Sequence, residues 1–255
     1  MTSLSRSEFR LLLGVLLMVA IAALAPSMAQ PQAYHHFADA RTMWGVHRAM
    51  DSLSNIGFLA LGVYGLVLSL QGRLEFFCAS MKGSVTTFFV GMVATAVGST
   101  YYHLAPDDAG LVVDRLGMVI VFAGVLGMAG AHRISDRAGW AMLVLGLVAG
   151  PGSLAWWLHS GSITPYGVVQ FGGIALACAA MAAPARGVGP HWAGLLLTYT
   201  LAKLFEQYDI AIFDLTHHMV SGHTLKHFAA ALPVLAVTRG LMRKPTSGTV
   251  AGGQK

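Results

Sequence analysis

Apolar residues in this chain gather into eight long segments separated by short polar breaks. They cover residues 9–25, 52–70, 86–103, 111–131, 140–159, 166–183, 192–213 and 222–241. Most approach the roughly 20 residues that a helix needs to cross the hydrocarbon of a bilayer. The pattern predicts an all-α, multi-pass transmembrane bundle of seven helices, plus one extra N-terminal helix or signal segment. Gly150-Pro151-Gly152 lies inside the fifth segment and predicts a kink. Three regions follow: an anchor or signal peptide over 1–29, a membrane domain over 30–244, and a polar cytoplasmic tail over 245–255. In the first, Arg6 and Arg10 precede the apolar run and Ser27-Met28-Ala29 follows it. That order fits an uncleaved anchor, and equally a signal peptide with a small-residue cleavage site.

Composition agrees with the pattern. The 255 residues are 55% hydrophobic and 11% charged, against about 25% charged in soluble domains. A soluble globule is therefore excluded. Two cysteines, Cys78 and Cys178, cannot build a Cys-rich metal site. The net charge of +5 is scattered over short loops rather than massed on one face, so no nucleic-acid partner is expected. Nor is an obligate protein partner expected.

The basic residues give an orientation. With the N-terminus inside, eleven Lys and Arg residues fall on the cytoplasmic side and Lys203 falls within a span. Only Arg41, Arg48, Arg115 and Lys226 fall outside. The positive-inside rule then places both termini in the cytoplasm.

On that topology, polar residues collect at the outer ends of four helices. Polar groups inside a membrane are costly and tend to mark function. "GSTYYH" puts Ser99 and His103 four residues apart, on one helix face. "VVDRLG" puts Asp114 at an outer helix end, and "GHTLKH" puts His223 and His227 one turn apart. "DSLSN" adds Asp51, Ser54 and Asn55. Three histidines can hold one zinc ion with its fourth position open, the arrangement of catalytic rather than structural sites. Thr224 follows His223, where a metalloprotease motif has Glu, so the base must come from elsewhere. Asp114 is the candidate. Lys203 and Glu206 are spaced to pair as a brace, and Glu206 or Asp209 could instead orient a zinc-binding histidine. His35, His36, His217 and His218 read as solvated loop residues. His132, His159 and His191 read as interfacial, and the tryptophans as an aromatic belt.

"GSTYYH", "VDRLGM" with Asp114 eleven residues after His103, and "GHTLKH" together resemble the hallmark of the alkaline ceramidase family. That family belongs to a wider superfamily with the adiponectin and progestin receptors. "DSLSNIGFLALG" resembles its first core helix, and "YHHFADARTMWG" resembles its bacterial members. The resemblance spans residues 34–241. It implies a seven-helix bundle with zinc in its outer half, held by His103, His223 and His227. It also implies Asp114 as base, Ser99 as oxyanion donor, and hydrolysis of a ceramide-like lipid amide. The bacterial inner membrane follows, with the active site toward the non-cytoplasmic side. One departure matters. Eukaryotic members carry an acidic calcium site before the first core helix, but Arg41 and Arg48 intrude here, so calcium is not predicted. Two rival classes are a non-catalytic, receptor-like lipid-binding protein with structural zinc, and a transporter with a metal site. No matched pair of broken segments supports the transporter.

Overall fold

The first five apolar segments fold as long helices because little within them is costly enough to stop a helix. A computed structural model of the chain describes residues 3–243; the tail over 245–255 and Lys244 lie outside the described residues. Helix α1 is Arg6–Leu24, closed at its start by a capping box between Ser5 and Glu8. Helix α2 is Ala49–Leu70, with a turn at Asn55. Helices α3, α4 and α5 are Ala79–Leu104, Asp108–Arg133 and Asp136–Ser160. All five are long and apolar enough to cross a membrane. Helix α5 runs through Gly150-Pro151-Gly152 without interruption. No strand occurs among the described residues, only isolated bridges.

The last three apolar segments are shorter or broken. Helix α6, Thr164–Ala180, contains a π-turn over Val168–Gly172. Helices α7, Trp192–Gln207, and α8, Asp209–Leu215, are divided at Tyr208. Helices α9, Gly222–Ala231, and α10, Pro233–Leu241, are divided at Leu232. Here the cause is plain: Pro233 has no N–H to continue the ladder. Helix length and composition thus identify five spans, fewer than the eight apolar segments.

The burial pattern is that of a membrane protein. Leu17, Val148, Leu158 and Leu197 face outward, while Asp51, Ser99, His103, Asp114 and His227 are buried. Polar side chains gather inside when the surroundings are lipid. The core joins Phe88, Phe89 and Met92 of α3 to Val234, Val237 and Leu241 of α10. Helix α7 packs on α9 and α10, and α6 packs on α1, α4 and α5.

The α3–α4 contact sets the site. A Cβ at Gly98 would lie 2.5 Å from the Val113 carbonyl oxygen, and one at Gly117 would lie 2.5 Å from the Thr95 Cα. Only glycine allows the backbones so close, and this approach puts Ser99 beside Asp114. Gly117→Ala overpacks the seam and should cost about 1–3 kcal/mol. A lower thermal midpoint of the detergent-solubilised protein would show it. Gly152→Ala, whose Cβ meets nothing within 4 Å, should leave that midpoint in place.

Candidate metal centre

Two helices bring the histidines together. His103 ends the third helix, α3, while His223 and His227 occupy successive turns of α9. The start of α9 is fastened twice. Its N-cap Ser221 accepts a hydrogen bond from Thr224 N at 3.0 Å, and Asp209 accepts one from His223 N at 2.7 Å. Two of the four unpaired donors at a helix start are thereby satisfied. From α2, Asp51 accepts from the hydroxyls of Ser221 at 3.1 Å and Thr224 at 2.7 Å. This ties the first turn of α9 to the bundle.

One ligand atom from each of His103, His223 and His227 lies within 4.8 Å of the others, and all three residues are buried. The Nε2 atoms of His103 and His223 are 3.2 Å apart. Two ligands about 2.0–2.1 Å from a tetrahedral zinc ion would stand roughly 3.3 Å apart, so this spacing fits the metal. His227 is oriented correctly as well. Ser54 Oγ donates its single proton to the Asp51 carbonyl, 3.0 Å away. It must therefore accept from His227 Nδ1, at 2.7 Å. That leaves the Nε2 lone pair of His227 for the cluster, the tautomer a metal ligand needs. The three histidines can hold one metal ion, and the donor set is compatible with zinc.

Phe37 closes the cluster from the other side. Its ring centroid lies 4.7 Å from that of His103 and 4.5 Å from that of His223, edge-on to both. The segment over 26–48 that carries it is pinned at many points. Ala38 N donates to Asp209 at 3.0 Å, and Gln30 accepts from Arg115 at 2.8 Å. Tyr34 donates to Glu206 at 3.0 Å. Burial, with the Glu206 charge second, pushes the Tyr34 phenol well above its usual value, so it stays a donor.

Beside the histidines lies a cavity of about 790 Å³, toward the upper end of the roughly 300–1,000 Å³ usual for ligand sites. Ser99, Asp114 and His227 line it together. The remainder is largely apolar and extends past Phe88 and Val125 to Met181 and Trp192. Helix α1 contributes Met18 and Ile21 to its wall.

Other expected residues fall differently. Lys203 and Glu206 form the expected pair, and Lys226 joins them at 3.1 Å. Asp209 holds the backbone of His223 rather than its ring. Asp39 is engaged by Arg41, and Asp51 by Ser221 and Thr224. His35 is not a solvated loop residue: it is buried between the Tyr102 hydroxyl at 2.9 Å and Asp108 at 3.1 Å. His132 is likewise buried, bonded to Trp192 and the Gly187 carbonyl. Trp157 leaves the aromatic belt to pack on Arg115, 4.9 Å from the guanidinium carbon. Neither Phe37 nor Arg115 stands out in the sequence as a site residue. Phe37 sits within the "YHHFADARTMWG" stretch, which was the available signal.

No protein-family model matches this chain, and no curated protein matches it.

Purified protein should hold about one zinc per chain by elemental analysis. His103→Ala, His223→Ala and His227→Ala should each lose it, and full retention in all three would sink the site. Ser54→Ala removes the acceptor that orients His227 and should weaken zinc binding by about 10–100-fold, read by competition with a chelating dye.

Proposed function

We propose that this protein is a zinc-dependent, membrane-embedded hydrolase that cleaves the amide bond of a ceramide-like lipid. The observation that carries the reading is the cluster of three buried histidines, one of which, His227, lines a largely apolar cavity together with Ser99 and Asp114. The resemblance to alkaline ceramidases supports it. So does the cavity, whose apolar length suits an acyl chain and whose polar end suits an amide.

His103, His223 and His227 would hold the metal. Zinc in such a site supplies Lewis acidity and a water whose pKa falls to about 7. The chain's own residues do the rest. Asp114 takes the proton from the attacking water as its oxygen joins the carbonyl carbon. Ser99 donates to the oxyanion that develops there. Asp114 then returns the proton to the amide nitrogen as the C–N bond breaks, giving a fatty acid and an amine. Apolar walls around the acyl chain exclude other water from the reacting carbonyl.

The architecture fits the same reading. Taking α7–α8 and α9–α10 as one span each, α2 to α10 make seven spans, with α1 as the extra helix. The positive-inside count supports a histidine end on the non-cytoplasmic side, and the resemblance to bacterial members supports a bacterial inner membrane. A reporter fused after residue 255 should then be active only in the cytoplasm, and activity only outside would reverse the orientation.

Lipid-amide turnover by purified protein, followed by mass spectrometry, tests the chemistry. Asp114→Asn keeps the shape but removes the basic oxygen. It should retain zinc and lose on the order of 100-fold in turnover. Ser99→Ala should lose a similar factor with zinc intact. Wild-type turnover by Asp114→Asn would show that another group is the base.

A further inference from the structure

The charges around the cavity do not balance. Its lining includes three cations, Arg115, Lys203 and Lys226, against two carboxylates, Asp114 and Glu206. Arg115 is partly engaged: Gln30 accepts from one terminal nitrogen and the rings of Tyr34, Trp157 and Tyr166 surround it at 4.6–5.5 Å, while its other terminal nitrogen is buried with no partner among the described residues. Asp114 and Glu206 together offset two of the three positive charges. One positive charge is left over, and the two lysines have one carboxylate between them. Both ammonium groups donate to the single carboxylate of Glu206, which also accepts from Tyr34. Each ammonium has three donors, and among the described residues Glu206 is the partner the structure gives to each. Donors and one positive charge remain to be met. Lys226 is largely buried, with 16% of its side chain exposed, where an uncompensated charge is costly. A metal dication at the imidazoles would add to the excess.

We infer that the head group taken by this cavity is anionic: the substrate is an acyl amide bearing a carboxylate on the nitrogen side, an N-acyl amino acid. Lys226 and Lys203 bind that carboxylate. The inference rests on the hydrolase reading and puts an N-acyl amino acid in place of a ceramide-like amide as the lipid amide this site cleaves. Lys226 precedes His227 directly, and both line the cavity with Asp114. A carboxylate beside it lies next to the reacting amide, as it does in an N-acyl amino acid. The apolar stretch toward Met181 and Trp192 takes the acyl chain, which fixes the charged group at the opposite end. Hydrolysis adds the elements of water across the C–N bond, releasing a fatty acid and a free amino acid.

N-oleoylglycine and N-oleoylethanolamine make the test pair, since they share the chain and the amide and differ chiefly in the carboxylate. The zinc-loaded wild type should hydrolyse the glycine conjugate with kcat/KM on the order of tenfold or more above the ethanolamide. Lys226→Gln and Lys203→Gln should each shrink that ratio, and Lys226→Arg should restore much of it. Binding is read separately by thermal shift in Asp114→Asn, which keeps the head-group site. The glycine conjugate should raise the midpoint more than the ethanolamide does, and zinc content reports that each variant is folded. Equal hydrolysis and equal binding of the two amides would overturn the head-group inference and leave the hydrolase standing. Anion-selective binding without hydrolysis of either would uphold head-group selection and overturn the hydrolase. Neither binding nor hydrolysis would overturn both.

Discussion

The first turn of α9 is the joint on which this architecture depends. A helix that begins inside a bundle leaves four backbone donors without partners, and no lipid tail can accept from them. Here Asp209 and Ser221 accept from two of them, and Asp51 fastens the Ser221 and Thr224 side chains to α2. The same contacts fix where His223 begins and where His227 falls one turn later. Asp51 contributes again through its backbone carbonyl, which takes the Ser54 proton and so sets the tautomer of His227. One short stretch of α2 thus governs both the position of a helix and the chemistry of a ring nitrogen.

Around that joint the molecule divides polar from apolar by end rather than by layer. His227, the carboxylates of Asp114 and Glu206 and the two lysines make up the polar part of the cavity lining, and aliphatic and aromatic side chains make up most of the rest. The covering segment shuts the polar end with Phe37 and joins it to α4, α7 and α8 through Arg115, Glu206 and Asp209. Helix α1 borders the apolar part through Met18 and Ile21. An acyl amide has the same division of polarity along its length.

Much of this was legible in the sequence, for specific reasons. Apolar run length marks spans directly: α1, α2, α4 and α5 begin and end within four residues of the runs that predict them, and α3 starts seven residues before its run. The His223–His227 spacing reads as one helix face because i and i+4 stack in any helix. Other features were hidden because they depend on partners far along the chain. Nothing local to "LTYTLAKLFEQYDI" announces the break at Tyr208, and hydropathy carries no record of a π-turn at Val168. His35 looks like a loop histidine until Tyr102 and Asp108 are seen on either side of it. Ser54 is one hydroxyl among many until its single proton is assigned. Arg115 reads as an outer-loop charge until three aromatic rings close on it.

The separation of the histidines along the chain has a consequence for how the protein is made. His103 and His223 are 120 positions apart yet 3.2 Å apart in space. During synthesis His103 reaches the membrane with the third helix, long before α9 exists. Until the last hairpin is inserted, a nascent chain carries a single ligand and holds an ion poorly. An ion held by all three histidines would therefore be captured only once α9 is in place, and it would then cross-link the early part of the bundle to the latest.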